Sequence, residues 1–134
     1  KLMVYDNDYI LFGILDRIIF TENKIIIVDY KTDNIDPNDN KIVLEKGLEY
    51  LNQLKFYAYL VFRKYQVEKV ELRIVFVKYP DVELTETIKQ DEIIVFGKLI
   101  EEAVFSIRSY KFAKKLEHCK KCIYSVNKNS CIIT

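Results

Sequence analysis

The chain has 134 residues, half of them hydrophobic, which suits one domain with a substantial core. Its 21 lysine and arginine residues against 20 acidic residues give a formal net charge of +1, so the overall field does little to attract nucleic acid. No apolar run reaches the roughly 18 to 20 residues of a membrane span, and no signal-peptide pattern opens the sequence. We therefore expect a soluble, cytoplasmic protein without membrane contact, in which any binding of nucleic acid depends on a local patch or a neighbouring domain.

The N-terminal part of the sequence is predicted to be mainly β-structure. Stretches rich in β-branched and aromatic residues, separated by short polar turns, predict strands over residues 2–5, 9–20 and 24–31, with local antiparallel pairing as the simplest topology. Residues 32–40 are rich in aspartate and asparagine, and they predict a loop that leaves directly from the end of the third strand.

The remaining sequence predicts two helices and two strands. Residues 45–65 carry apolar residues at three- and four-residue spacings, which predicts a helix with one buried face. Residues 70–79 predict a strand that is buried over most of its length and stopped by Pro80, followed by a short edge strand over residues 83–87. Residues 90–116 predict a second helix. The apolar positions are Leu48, Leu51, Leu54, Ala58 and either Val61 or Phe62 in the first helix, and Ile93, Ile94, Phe96, Leu99, Ile100, Val104 and Ile107 in the second.

Acidic residues and a lysine fall at the ends of the predicted strands. Because side chains alternate along a strand, Asp29 and Lys31 point to the same face. If the strand that carries Asp16 pairs with this one through the turn at residues 21–23, Asp16 and Asp29 converge on a single divalent cation, which in outline is an arrangement for phosphodiester cleavage. An Asp-x-Lys triplet alone is more often a solvated strand end, and Asp16 has the alternative of an ion pair with Lys31 or Arg17.

Three short motifs follow one another along the chain: Gly13-Ile14-Leu15-Asp16, Asp29-Tyr30-Lys31 and Gln53-Leu54-Lys55-Phe56-Tyr57. In this order they resemble the RecB-type branch of the PD-(D/E)XK nuclease superfamily, over nearly the whole chain. The resemblance implies an α/β fold of the restriction-endonuclease type, with a mixed central β-sheet flanked by helices, and residues 1–117 as the nuclease core. Gln53 and Tyr57 match the Gln-x-x-x-Tyr motif of that family. They share a helix face, where they would support the site and contact the DNA strand; by themselves they are ordinary helix residues.

The resemblance also implies roles for the site residues. Asp16 and Asp29 would bind magnesium or manganese, with the backbone carbonyl of Tyr30 as a further ligand, and Lys31 would help to activate and orient the attacking water. The expected catalytic residues are thus Asp16, Asp29, Lys31 and Gln53. Physical chemistry favours these residue types independently, because magnesium prefers about six oxygen ligands and usually keeps several waters. A lysine beside it stabilises negative charge at the attacked phosphorus.

The function implied by the resemblance is a metal-dependent deoxyribonuclease domain, exonuclease rather than endonuclease, within a larger helicase-nuclease of DNA repair or recombination. Its partners would be DNA and a helicase domain or subunit. Two alternatives stay open. One is a catalytically inactive module of the same fold that binds DNA or serves as a scaffold for another subunit. The other is a site-specific restriction or junction-resolving endonuclease, which predicts a symmetric dimer.

The sequence departs from the family pattern at two places. Members usually carry a glutamate or histidine on a helix before the first strand, whereas strand-like sequence begins here at once, so we expect a fragment that lacks this helix. In addition, Thr32 is followed by Asp33, where a small residue is more usual.

Cysteine occurs only near the C-terminus, at Cys119, Cys122 and Cys131. A Cys-x2-Cys pair brings two thiolates onto one metal, and the trio resembles the C-terminal cysteines that, with a fourth from upstream, hold a 4Fe-4S cluster in some RecB-type nucleases. The gap between Cys122 and Cys131 is longer than usual there, and this sequence has no fourth cysteine. Zinc bound together with His118, or free thiols without metal, are the alternatives. We treat residues 118–134 as a cysteine-containing tail.

Overall fold

The computed structural model describes residues 1–6, 8–36 and 38–111. The chain divides into two compact units, residues 1–99 and residues 100–134. The strands of the described residues and the first helix lie in the first unit. Of the second unit, the structure describes residues 100–111, which comprise the end of the second helix and a turn after it. In chain order the elements are β1 (Leu2–Tyr5), β2 (Ile10–Gly13), β3 (Arg17–Phe20), β4 (Ile25–Lys31), α1 (Asn40–Lys64), β5 (Lys69–Phe76), β6 (Glu83–Lys89) and α2 (Gln90–Arg108).

The strands of the described residues form two sheets. Strands β1 and β2 pair antiparallel as a two-stranded sheet, and the other four form a sheet in the order β3-β4-β5-β6. Strand β3 pairs antiparallel with β4, β4 pairs parallel with β5 across the connection that contains α1, and β5 pairs antiparallel with β6. This mixed sheet with its helices confirms the predicted restriction-endonuclease-like α/β class. The predicted antiparallel pairing of neighbouring N-terminal strands is also confirmed.

Strands β4 and β5 form the centre of the core. Residues 25–29 of β4 are all buried, as expected for a strand with a neighbour on each edge and a covered sheet on each face. In β5, alternate side chains from Val70 to Phe76 are fully buried. The C-terminal end of β4, with Asp29 and Lys31, therefore directly follows a fully buried segment.

Helix α1 contacts strands of both sheets: β1 and β2 of the two-stranded sheet, and β4, β5 and β6 of the four-stranded sheet. Five successive residues of this helix, 57–61, are consequently buried, whereas a single apolar stripe would bury only every third or fourth residue. The prediction of one buried face is wrong for this stretch. It is also wrong for Leu48, whose side chain is 64% exposed.

The predicted strand over residues 9–20 consists in fact of two strands that belong to different sheets. Strand β2 ends at Gly13 and β3 begins at Arg17, so residues 14–16 cross from one sheet to the other. The prediction fails here because the hydrophobic pattern continues through the crossing although the backbone leaves the ladder. This crossing carries Asp16 to the end of the four-stranded sheet.

Helix α1 begins at Asn40, five residues before the predicted start. Asp39 is its N-cap, since its side chain accepts hydrogen bonds from Lys41 N at 3.0 Å and from Ile42 N at 3.2 Å. The stretch rich in aspartate and asparagine therefore contains a helix start as well as a loop, and the predicted loop is correspondingly too long.

The later elements differ from the prediction mainly at their ends. Strand β5 stops at Phe76 because the chain turns there, with Tyr79 N donating to Phe76 O at 2.9 Å. Strand β6 is an edge strand as predicted, and it is two residues longer at its C-terminal end. Helix α2 ends at Arg108 and a turn follows; residues 112–116 of the predicted helix lie outside the described residues.

The predicted apolar stripe of α2 is only partly covered within the described residues. Ile93 and Ile100 are buried, whereas Ile94, Leu99 and Ile107 are each more than half exposed. In the part of the chain that the structure describes, neither helix is both long and apolar enough to cross a bilayer.

Candidate active site at the end of strand β4

Asp29 and Lys31 lie on one face of β4, as the alternation of side chains predicts. Asp29 is buried, with 6% exposure, and its Oδ2 atom is 2.6 Å from Lys31 Nζ. No donor among the described residues meets Asp29 Oδ2 with the geometry of a hydrogen bond. The two side chains therefore form a close charge contact rather than an aligned hydrogen bond, and a buried carboxylate oxygen is left with coordinating capacity.

Asp16 lies beside this pair because β3 and β4 are antiparallel. It directly precedes Arg17, which is paired with Val28 in the ladder. Its Oδ2 atom accepts a hydrogen bond from Tyr30 N at 3.0 Å. Among the described residues Lys31 pairs with Asp29 rather than with Asp16, and Arg17 donates to the Tyr30 hydroxyl at 3.4 Å. The backbone amide of Tyr30, rather than the side chain of Lys31 or Arg17, thus orients the Asp16 side chain.

Helix α1 supplies the opposite wall of the site through Gln53 and Tyr57. Lys31 Nζ donates to Gln53 Oε1 at 3.3 Å, and Gln53 Nε2 donates to the Tyr57 hydroxyl at 2.9 Å. A continuous chain of polar contacts therefore runs from Asp29 through Lys31 to the helix. Tyr57 is only 9% exposed, so the packing around it restrains its ring.

Gly13, the first residue of the Gly-x-x-Asp motif, has a packing role in this wall. A Cβ atom at this position would lie 2.8 Å from Leu60 Cδ1 and 3.0 Å from Tyr57 Cδ1. Only glycine lets β2 approach α1 this closely without displacing the Tyr57 ring. The motif therefore connects the two-stranded sheet to the residues that line the site.

Two residues of the site were not predicted, Tyr50 and Asp33. Lys31 Nζ lies 4.2 Å from the centroid of the Tyr50 ring, and the Tyr50 hydroxyl donates to Asp33 Oδ2 at 2.7 Å. Burial of the phenol, and then its hydrogen bond to Asp33, raise the pKa of Tyr50 to about 12. A signal was present in the sequence, since Tyr50, Gln53 and Tyr57 are spaced i, i+3, i+7 and so share one helix face.

The donor set fits a hard divalent cation. It comprises the carboxylates of Asp16 and Asp29 and the carbonyl of Tyr30, and Asp29 Oδ2 is a buried acceptor without an aligned donor. The described residues contain no group of three or more histidine, cysteine, aspartate or glutamate side chains that could hold a metal. A cation bound here would take its other ligands from water and substrate, which is the usual behaviour of magnesium.

Two further features concern the predicted ligands near the C-terminus and a cavity among the described residues. Cys119, Cys122 and Cys131, together with His118, lie outside the described residues. A cavity of about 690 Å³ opens at the other end of β4, where it is lined by residues that include Phe20, Lys24, Tyr65 and Gln66. It contains none of the predicted site residues, and the candidate site is instead a surface at the C-terminal end of the strand.

Comparison with known proteins places these features in a family. A family model of the PD-(D/E)XK nuclease superfamily matches residues 3–126. The chain is 31% identical over 80 residues to an ATP-dependent helicase/nuclease subunit of Streptococcus thermophilus, a match that covers 59% of this chain and 6% of that protein. It is also 31% identical over 77 residues to the exonuclease/helicase subunit RexA of Streptococcus pneumoniae, covering 58% of this chain and 6% of that protein.

The chain thus spans about 6% of the length of these curated relatives. No solved structure matches it. The family model, however, extends over most of the chain, from β1 past the end of α2, and includes all three motifs of the site. The predicted resemblance is confirmed: the chain belongs to the PD-(D/E)XK nuclease superfamily.

Proposed function

We propose that this chain is the nuclease domain of a larger helicase-nuclease, and that it hydrolyses DNA phosphodiester bonds with magnesium or manganese. The observation that carries the proposal is the buried Asp29, whose charge is met by Lys31 and which lies beside Asp16 in a member of a nuclease superfamily. The names of the relatives, which are subunits that combine helicase and nuclease, support the larger context.

In this proposal Asp16, Asp29 and the Tyr30 carbonyl hold the divalent cation. When bound, the cation would act as a Lewis acid on a phosphate oxygen and lower the pKa of a coordinated water. Asp29 is fixed by its burial, and Asp16 by the hydrogen bond from Tyr30 N, so neither carboxylate needs to reorganise before the cation binds.

Lys31 and Gln53 supply the remaining chemistry. The Lys31 ammonium, at 2.6 Å from Asp29 Oδ2, is placed to stabilise negative charge at an attacked phosphorus and to orient the attacking water. Gln53 accepts from Lys31 at 3.3 Å and is in turn held by Tyr57, so it directs the ammonium and lies where a DNA strand would pass. Loss of either contact would leave a long flexible side chain undirected.

Exonuclease action on DNA delivered by a helicase fits the charge of the chain. A net charge of +1 gives little electrostatic capture of DNA, and a motor that feeds the strand would replace it. The word "exonuclease" in the name of one relative points the same way. The work of such an assembly would be in the cytoplasm, with DNA and the helicase as partners.

The test is cleavage by the natural protein that contains this chain. We expect Lys31→Ala to lower the cleavage rate roughly a hundredfold or more, the scale for losing one catalytic group, with folding nearly unchanged. DNA binding in calcium should persist. The matched control is Lys24→Ala, which removes the ion-paired lysine at the other end of β4 and should leave the cleavage rate unaltered.

A catalytically inactive module of the same fold is the second candidate. It is favoured by one observation, that the described residues contain no third acidic, histidine or cysteine ligand next to Asp16 and Asp29. If the natural protein shows no magnesium- or manganese-dependent cleavage of single-stranded, duplex or tailed DNA, the catalytic proposal is wrong and this candidate replaces it.

The cysteine trio supports a separate part of the proposal, a 4Fe-4S cluster completed by a ligand from outside this chain. Iron and acid-labile sulfide in the natural protein, purified without oxygen, should be present in equal amounts and disappear together in Cys122→Ser. Zinc without iron in the same sample would assign the cysteines to a zinc site with His118. Absence of both metals would indicate free thiols.

A further inference from the structure

We propose that Tyr50 and Asp33 form a positioning pair that keeps the Lys31 ammonium directed at the metal-binding carboxylates. The inference rests on the proposed function, because it concerns the lysine of that site. Neither residue belongs to the three motifs, and their contacts with Lys31 and with each other are visible only in the folded molecule.

Lys31 is restrained from three directions. Its ammonium meets Asp29 Oδ2 at 2.6 Å, Gln53 Oε1 at 3.3 Å and the centre of the Tyr50 ring at 4.2 Å, and only 17% of the side chain is exposed. A lysine side chain otherwise has about 2 kcal/mol of rotamer entropy to lose on being ordered. The aromatic face limits that freedom and attracts the cation through the ring quadrupole.

The contact of Lys31 with the Tyr50 ring would matter most when a divalent cation is bound to Asp29. With a divalent cation on Asp29, one carboxylate charge is shared between two cations, so the attraction of Asp29 for Lys31 weakens. Gln53 and the Tyr50 ring are then the contacts of the described residues that still hold the ammonium at the site. A cation–π contact requires no anion, and it therefore persists in the state that performs the chemistry.

Asp33 fixes the ring. Its Oδ2 atom accepts the Tyr50 hydroxyl at 2.7 Å, and among the described residues Asp33 forms no ion pair that would compete for this carboxylate. The pKa of Tyr50, raised to about 12, keeps the phenol protonated and thus a donor at working pH. Because Asp33 lies two residues after Lys31, the bond also ties the chain leaving β4 to α1 across the site.

The first experiment measures kcat and KM for DNA cleavage by the natural protein. Tyr50→Leu, which removes the ring, should lower kcat about tenfold with little change in KM, whereas Tyr50→Phe and Asp33→Asn should lower it only a few fold. Tyr59→Phe is the matched control, since it removes a comparable hydroxyl that accepts from Arg63 elsewhere on α1 and should leave kcat unchanged.

A double-mutant cycle separates positioning from general packing. If Tyr50 acts through Lys31, adding Tyr50→Leu to Lys31→Ala should cause no further loss of kcat. Equal losses in the presence and absence of Lys31 would show that Tyr50 only supports the fold, and the inference would be wrong. An unchanged kcat in Tyr50→Leu, in a protein that Lys31→Ala inactivates, would overturn the inference and leave the proposed function standing.

The second experiment does not depend on activity. In the 134-residue chain the Lys31 ε-methylene protons should show an upfield ring-current shift in nuclear magnetic resonance, lost in Tyr50→Leu and retained in Tyr50→Phe. Addition of magnesium should leave the shift in place. Its loss on magnesium addition would show that Lys31 leaves the ring when the site is loaded, which would overturn the inference even if the natural protein proved inactive.

Discussion

Asp29 is a buried carboxylate whose charge is only partly compensated by its neighbours. A carboxylate with 6% exposure is costly unless its charge is matched, and its neighbour Lys31 supplies the match two residues along the same strand. Its Oδ2 atom nevertheless lacks an aligned donor among the described residues. This combination of burial and an unmatched acceptor is the basis of the proposal that Asp29 coordinates a cation.

Metal binding should therefore depend on Asp29. Calorimetric titration of the 134-residue chain with manganese should show a weak site that is absent in Asp29→Ala, because the buried ligand oxygen is removed. Asp33→Asn is the control, since Asp33 lies four residues further along and is engaged by the Tyr50 hydroxyl. Manganese binding of unchanged affinity in Asp29→Ala would place the metal elsewhere.

Gly13 should be sensitive to a single added methyl group. We expect Gly13→Ala to lower the free energy of unfolding by about 1 to 3 kcal/mol, because its Cβ would press on the Tyr57 ring and on the fully buried Leu60. Chemical denaturation measures the loss, and the adjacent Ile14→Ala, at a position 60% exposed, should change stability far less. Equal stability of the two variants would contradict the close approach of β2 to α1.

At the level of elements, a charged network on β5 links this strand to β6 and to the turn before β4. Glu71 pairs with Lys24, in the turn before β4, and with Arg73 Nη2 at 2.6 Å, and Arg73 in turn lies 3.7 Å from Glu83 on β6. The hydrogen bond from Lys24, aided by Arg73 and opposed by burial, lowers the pKa of Glu71 below its ordinary value near 4.5. Glu71 and Arg73 are in register with Ile26 and Val28, on the sheet face opposite to Asp29 and Lys31, so we expect the network to act on stability.

The sign of the pH dependence follows from the lowered pKa. Glu71 contributes stability at pH values above about 4.5, and the contribution is lost as the pH falls through its lower folded-state pKa. Glu71→Gln should thus be less stable than the parent by about 1 to 2 kcal/mol at pH 7, with the difference vanishing in acid. Denaturation at both pH values tests this, and Glu45→Gln, in an exposed pair, should show neither effect.

The sequence was sufficient to predict the order and type of most elements, because each has a strong local signal. The alternation from Val70 onward and the run ending in Asp29 and Lys31 predict strands that the structure contains. The N-cap at Asp39 carried a local signal too, which the loop-like composition of its neighbours concealed.

The errors at this scale have tertiary causes. Whether residues 14–16 continue a strand or cross between sheets depends on which sheet each half joins, and hydrophobicity does not encode that choice. Burial of residues 57–61 of α1 likewise depends on contacts of the helix with both sheets. The same reasoning explains why Tyr50 and Asp33 were not predicted: their contact joins a helix to a loop 17 residues away.

For the whole molecule, the near-neutral net charge limits how strongly the chain by itself could attract DNA. A surface that captures DNA by itself usually concentrates basic residues along the track of the phosphates, and here the 21 basic side chains are balanced by 20 acidic ones. The ion pairs of Lys24, Lys55 and Arg73 further engage basic charge with acidic partners within the fold. At the site, Lys31 is paired with Asp29, and Arg17 donates to the Tyr30 hydroxyl. Under the proposed function, we therefore expect neighbouring domains to capture the DNA and this chain to orient one phosphate.

The salt dependence of DNA binding tests how much of the DNA capture is due to this chain and how much to other domains. For single-stranded DNA, log K should fall against log salt with a slope of about −0.7 for each phosphate neutralised, so this chain alone in calcium should show a shallow slope of about −1 to −2. The natural protein, with its other domains, should show a much steeper one. Lys31→Ala should reduce the slope of the chain by about 0.7, because one phosphate contact is lost, whereas Lys24→Ala should not alter it. A slope as steep in the chain as in the natural protein would mean that this fold carries its own basic track, and the site would then capture its substrate without a motor to deliver it.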